Sequence, residues 1–437
     1  MVQIQQGPQG RTMTDSPDSF YRDRWWLVQI QQVLYSILAC ATTMRSGGTA
    51  VYRQRTMELS PNKVLLHLGL FLLTFISTTL AGAEWVYGKS ILAEGYTLMD
   101  FVSGMAYSVP FLLILSAHEF GHYFTAIHYK VRTTLPYYIP LPPFPFMFGT
   151  LGALIRLKSP VLTKQQNFDI GVAGPIAGFV VALGVLWYGF ATLPPPEYIF
   201  QFHPQYQQFG LDYSRHVYTA QHLPENTVDV ILGKNLLFAF FEKFVADPAR
   251  VPNVHEIMHY PFLFAGFLSL VFTSINLLPI GQLDGGHVVY GLLGFRGHRV
   301  VASIVFVAFL FYSGVGYLTF FGPQQDPLWR MALYFGFIYL CLTGLRRPWQ
   351  DTLMYTTAIF TVQFLLSWVL PGIQGYSGWL LFVFLISRFI GIAHPRSEIE
   401  APLTIDRKIV GWIALAIFVL CFTPAPIEMI VVTPPSP

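Results

Sequence analysis

Residues 101–129 read FVSGMAYSVPFLLILSAHEFGHYFTAIHY, a run long enough to cross a bilayer that nevertheless carries His118, Glu119 and His122. About 20 apolar residues in helical form span the hydrocarbon core. An ionisable group at that depth costs roughly 2.5 kcal/mol or more, so such groups usually pair, bind something or line a wet cavity. Leu113-Ile114-Leu115 bound the cluster on one side and Tyr123-Phe124 on the other. Positions i and i+4 share one helix face about one turn apart, so the two imidazoles can reach one metal ion together. Glu119, adjacent to His118, can address a water on that ion without being a ligand. This is the HExxH arrangement of zinc hydrolases.

The rest of the chain sorts itself around this run. The sequence has 437 residues, of which 53% are hydrophobic and only 11% charged, too few charges to cover the surface of soluble domains of that length. A first span covers about 64–86, a third about 170–191 and a fourth about 262–278. Further apolar runs lie near 300–321, 330–345, 353–370, 378–393 and 409–424, so the expectation is an all-α polytopic membrane protein of eight or nine transmembrane helices. The proline-rich stretch 135–145 cannot be regular helix, because each proline lacks an amide donor. Residues 150–157 read as a short membrane-associated strand or hairpin. The third span opens with Gly171, Gly174 and Gly178, a spacing that lets helix backbones approach closely in lipid. Residues 192–258 form the longest polar connection, with an amphipathic segment around 228–245.

Three parts follow: a cytoplasmic or interfacial segment 1–62, a core 63–299 and C-terminal helices 300–437. In the first, Gln29, Gln31 and Gln32 interrupt an apolar patch at 25–41, which reads as an interfacial helix. Cys40, Cys341 and Cys421 form no CxxC pair, so neither a disulfide framework nor a cysteine metal site is indicated. The polar first twenty residues do not read as a cleaved signal peptide. With the N-terminus in the cytoplasm, 19 Lys/Arg fall in cytoplasmic segments and six outside, the asymmetry expected of that orientation. The ends of the second and fourth spans then both face the cytoplasm.

A second copy of the pattern, His255-Glu256-Ile257-Met258-His259, stands in the polar connection. It ends two residues before Pro261, which suits the first turn of the next helix, so 255–259 reads as a solvated boundary loop. A catalytic zinc site wants three protein ligands and one open position. The fourth span ends in Asn276-Leu-Leu-Pro-Ile-Gly-Gln-Leu-Asp284-Gly-Gly-His287, where Asp284 is the evident third ligand for His118 and His122. Taken alone, Asp-Gly-Gly would be a helix-terminal turn. His259 and Asp284 lie 25 residues apart, roughly 37 Å of helix, so no single ion bridges them. His287 stands either as a support for Asp284 or as an interfacial residue.

His118-Glu119-Phe120-Gly121-His122 together with the Asn276–Asp284 stretch resembles the site-2 protease family of intramembrane zinc metalloproteases. Gly149-Thr-Leu-Gly-Ala-Leu-Ile-Arg156 and Asp169-Ile-Gly-Val-Ala-Gly-Pro-Ile-Ala-Gly178 resemble its bacterial and plastid members that lack PDZ domains. The resemblance covers residues 100–300 well and the later spans loosely. It implies a three-helix catalytic core and one Zn2+ per chain, held by His118, His122 and Asp284. It further implies Glu119 as general base and cleavage of substrate transmembrane helices near the cytoplasmic face. Asn276 would hold the substrate or the tetrahedral intermediate, and the 149–157 strand would receive an unwound substrate. The expected partners are transmembrane protein substrates and the lipid bilayer, with no nucleic acid.

A cation or proton transporter could use the same ionisable residues, but transporters commonly show internal repeats and none is convincing here. A zinc-binding pseudoprotease is disfavoured by the complete ligand and base set. Without an Arg/Ser-rich transit peptide the chain reads as a resident of a bacterial cytoplasmic membrane, with a plastid membrane as the alternative.

Overall fold

The computed structural model describes residues 61–142, 147–218, 228–319, 326–370 and 372–431. The interfacial helix expected at 25–41, Cys40 and part of the proline-rich stretch lie outside these. Cys341 and Cys421 are buried free thiols.

Helices α1 (Pro61–Tyr87), α2 (Leu98–His128) and α3 (Lys164–Ala191) pack side by side, and α5 (Pro261–Asn276) packs against α2 and α3. Helix α2 begins at a capping box. Thr97 accepts from the Asp100 amide, while the Asp100 carboxylate accepts from the Thr97 amide at 2.9 Å. A helix apolar all round is a buried one, and α5 fits that rule. Leu263, Phe264, Ala265, Phe267, Leu268 and Leu270 are all buried, with Phe264 against Trp85 of α1 and Tyr107 of α2.

Between α2 and α3 the chain forms a two-stranded antiparallel hairpin, β1 (Tyr137–Pro140) and β2 (Thr150–Leu154). It is fastened to the helices. The Ser116 and Tyr138 hydroxyls are 2.7 Å apart, and Ser77 of α1 donates to the Gly149 carbonyl at 2.6 Å. Gly149 has φ +80, and a Cβ there would lie 2.5 Å from the Ser77 carbonyl, so backbone conformation and packing both require glycine.

The long connection after α3 holds two 3-10 segments (Pro196–Gln201 and Pro204–Arg215), strand β3 (Val228–Leu232) and helix α4 (Leu236–Phe244). The amphipathic segment expected at 228–245 is therefore two elements. Its first part pairs with β4 (Ile427–Val431), some two hundred residues on, and Gly233 between the two packs against the Ala425 carbonyl.

Helix α6 (Asp284–Gly314) begins at Asp284 itself and bends at Gly294 (φ 70), so the apolar run expected from about 300 is the second part of a longer helix. Then come α7 (Leu328–Leu342), α8 (Trp349–Val369), α9 (Trp379–Leu385, continuing as a wider turn to Ile390) and α10 (Ile405–Cys421). Among the described residues six helices are long and apolar enough to cross a membrane: α1, α2, α3, α6, α7 with its terminal turn, and α8. Helix α5 and the 379–390 helix are apolar but shorter.

The C-terminal segment is sewn onto the core. Arg407 grips the Asp169 carboxylate with Nε at 2.9 Å and Nη2 at 2.8 Å, and Asn167 donates to Ser397 at 2.9 Å.

Candidate metal centre

Helix α2 presents His118, Glu119 and His122 inward, only 6%, 4% and 7% exposed, and ionisable groups so placed in a membrane-length helix need a partner. The turn after α5 brings Asp284 to the same place. His118 Nε2 and His122 Nε2 each lie 3.3 Å from Asp284 Oδ2, and 3.0 Å from one another.

Those separations test whether an ion fits. A tetrahedral ion of zinc's size, about 2.0–2.1 Å from its ligand atoms, sets them roughly 3.3–3.4 Å apart. The three donor atoms already stand near that spacing, and they form a group able to hold a metal ion. The tautomer also suits a ligand. His122 Nδ1 donates to the Ile170 carbonyl at 2.6 Å, which leaves Nε2 bare toward the cluster.

The glycine series of α3 does more than bring helices together. A Cβ at Gly174 would come within 2.5 Å of two ring carbons of His122, and one at Gly178 within 3.0 Å of His118 Cβ. One at Gly171 would come within 2.5 Å of His287 Cβ. The small face of α3 is thus the space the imidazoles occupy. Close backbone approach, the role expected from spacing, occurs at Gly121, where a Cβ would meet the Ala173 carbonyl at 2.6 Å.

Asn276, the last residue of α5, has Nδ2 3.4 Å from His118 Nε2. Asp284 begins a helix and does not close a turn. Gly285 and Gly286 pack against the carbonyls of Leu277 and Gly281, and the Gly281 amide donates to the Ile392 carbonyl at 2.9 Å. The turn carrying Asp284 is therefore held by the loop after α9. His287 does not reach the cluster's donor atoms; its Nδ1 lies 2.8 Å from His394 Nε2, on a ring stacked against Tyr290. No sequence pattern pointed to Ile392 or His394, because their role depends on a contact across more than a hundred residues.

The second HExxH copy departs from the solvated loop expected of it. Glu256 is 2% exposed and His259 9%. The segment is a 3-10 turn (Ile257–His259) followed by Pro261 at the start of α5, so the boundary is where the proline suggested. The polar pair is buried because Ile257 and Tyr260 beside it join the core and carry it inward. His255 points elsewhere, pairing with Asp229 at 2.9 Å.

Comparison with known proteins bears on the first cluster. A family model, Peptidase family M50, matches residues 106–320. The probable zinc metalloprotease EGY1, chloroplastic, of Arabidopsis thaliana is 28% identical over 199 residues, 46% of this chain and 31% of that protein. Its namesake from Oryza sativa subsp. japonica is 30% identical over 200 residues, 45% of this chain and 30% of that one. The probable zinc metalloprotease EGY3, chloroplastic, from the same rice is 25% identical over 256 residues, covering 56% of this chain and 39% of the relative. The chain thus spans about three-tenths of the length of the EGY1 proteins it matches. No solved structure matches it. The matched stretch holds α3, α5, both histidines of the α2 pattern and Asp284, and over it the chain is similar to Peptidase family M50, the site-2 protease family.

Proposed function

We propose that this chain is an intramembrane zinc metalloendopeptidase that cleaves transmembrane segments of membrane proteins. What carries the reading is one observation: two imidazoles and a carboxylate converge on a single point inside helices of membrane length, with a further buried carboxylate, Glu119, next to them. The names of these three relatives, each a probable zinc metalloprotease, support the choice of metal and of reaction.

In this reading His118, His122 and Asp284 hold zinc. Bound there, the ion supplies Lewis acidity, lowering the pKa of a water toward neutrality and polarising the scissile carbonyl. Glu119 removes the proton from the attacking water and hands it to the leaving amide nitrogen. The Asn276 side-chain amide donates toward the oxygen that gains charge. Helical substrate backbone is internally bonded, so the scissile segment must first become extended. Strand β2 suits such a segment: β1 occupies one edge, and among the described residues no strand pairs with the other. Addition of the substrate there would be β-augmentation. The core is assigned to 63–299, and the Lys/Arg asymmetry supports an N-terminus in the cytoplasm. A bacterial cytoplasmic membrane is the proposed residence. The plastid membrane stays the alternative, in keeping with the chloroplastic relatives.

The test is Glu119→Gln in the full-length protein with a model transmembrane substrate. Zinc content should stay at the wild-type level while cleavage disappears. Persistent cleavage would show that Glu119 is not the base.

A further inference from the structure

A second group of ligand-type atoms stands in the connection between α3 and α5. His203 Nε2 lies 3.3 Å from His259 Nε2 and 3.4 Å from Glu256 Oε2, and the latter two are 3.5 Å apart. This again approaches the roughly 3.3–3.4 Å edge of a tetrahedral zinc site.

The donors are set up for an ion and for little else. His259 Nδ1 donates to the Val86 carbonyl at 2.6 Å, so a neutral ring turns a bare Nε2 toward the cluster. The Tyr218 hydroxyl donates to Glu256 Oε1. Oε2, buried in full, is left with no hydrogen-bond partner, its approach to the two imidazoles being within reach but misdirected for a hydrogen bond. An unsatisfied buried carboxylate oxygen is costly, and a cation is its most direct remedy. Among the described residues no lysine or arginine pairs with Glu256.

The rings are also fixed in place. His203 stacks on Tyr206 with centroids 4.6 Å apart, and His259 stacks on Phe202 at 4.4 Å. Tyr198 donates to the His259 carbonyl at 3.3 Å. His203 is the most exposed of the three, which leaves a way in from solvent.

We infer that His203, Glu256 and His259 form a second metal site for a divalent ion of the zinc type, distinct from the centre on α2. Two imidazoles and one carboxylate suit zinc and its first-row neighbours, whereas calcium and magnesium take oxygen ligands. The two sites lie at opposite ends of α5, whose 16 residues span about 24 Å, so one ion cannot serve both. The role is structural. The ion joins the start of the 3-10 segment 204–215 to the turn that begins α5, and through the Val86 carbonyl to the end of α1. The segment so fastened has no side-chain cap of its own.

The test measures zinc in full-length protein purified in detergent, loaded with Zn2+ and freed of excess. Wild type should hold two equivalents, and a His118→Ala/His122→Ala variant one. Adding His203→Gln to that variant should remove the remaining equivalent; because His203 is partly exposed, the protein should stay folded and monodisperse. Hydrogen exchange gives a readout independent of mutation at the second site: in the His118→Ala/His122→Ala variant, EDTA should deprotect 196–218 and zinc restore it. The inference is overturned if that variant holds no zinc while folded, or if its zinc survives His203→Gln. Zinc lost only on His203→Gln, with His118→Ala/His122→Ala without effect, would instead overturn the reading of the first centre.

Discussion

Gly174→Ala isolates the packing argument for the α2 centre, because it adds one methyl group and replaces neither a proposed ligand nor the proposed base. The added Cβ would lie 2.5 Å from both Cδ2 and Cε1 of the His122 ring. Carbon atoms rest about 3.5–4.0 Å apart, so the ring must retreat by roughly 1 Å. Metal–ligand distances tolerate about 0.2 Å, and a misplacement of about 1 Å in a catalytic group can cost on the order of a hundredfold in rate. Retreat also stretches the 2.6 Å bond from His122 Nδ1 to the Ile170 carbonyl that fixes the ring's orientation. Overpacking itself costs about 1–3 kcal/mol, too little by itself to unfold most proteins. The expected result is loss of the zinc equivalent at this centre and at least a hundredfold drop in cleavage, with a modest fall in melting temperature. The control is Gly184→Ala on the same helix, where a Cβ meets nothing within 4 Å; metal content and activity should match wild type. Metal analysis, a model-substrate assay and a thermal melt in detergent decide it. If Gly174→Ala retained wild-type zinc and cleavage, the assignment of the α3 glycine face to imidazole accommodation would be refuted.

Asn276→Ala should keep zinc yet lower kcat by about 10²–10³-fold, the usual loss for one oxyanion donor; a rise in KM with kcat unchanged would mean that the side chain only holds substrate. A pH effect is expected from His394, in the loop after α9. Burial, with His287 alongside, pushes its imidazole down to about 2. An unfolded histidine titrates near 6.5, so below that pH the unfolded chain binds a proton that the folded chain refuses. Stability therefore falls on acidification, by up to about 1.4 kcal/mol per pH unit, and His394→Gln should flatten the fall in melting temperature between about pH 6.5 and 4. An unchanged slope in that variant would count against the burial argument.

The parts of the molecule readable from sequence are those governed by local rules. Membrane helices must satisfy their own backbone, so apolar runs alone located α1, α2 and α5 to within three residues at each end and α3 at its C-terminal end, its start lying six residues earlier than expected. His118 and His122 were legible because helix periodicity puts them on one face, and Asp284 because span direction brings it to the same side. What escaped depends on contacts that composition does not encode. Strand β3 looked amphipathic because its partner β4 lies some two hundred residues on. Glu256 and His259 looked solvated because their neighbours in sequence are polar, while Ile257 and Tyr260 decide their burial. His203 carried no signal at all. It becomes a ligand candidate only when the connection folds back over the start of α5.

The shortness of α5 has a consequence for water. At 16 residues it reaches about 24 Å, against a hydrocarbon thickness of about 30 Å. The stretch 277–283 therefore unwinds at a depth where irregular backbone survives only if protein encloses it or an aqueous cavity adjoins it. Leu277, Leu278 and Ile280 supply the enclosure, being almost wholly buried. Asp284, with a side chain 16% exposed, marks where the enclosure opens. The proposed hydrolysis would consume one water for every bond cut, and a helix that ends early would let that water reach Asp284 and its neighbours without a channel through the whole bilayer.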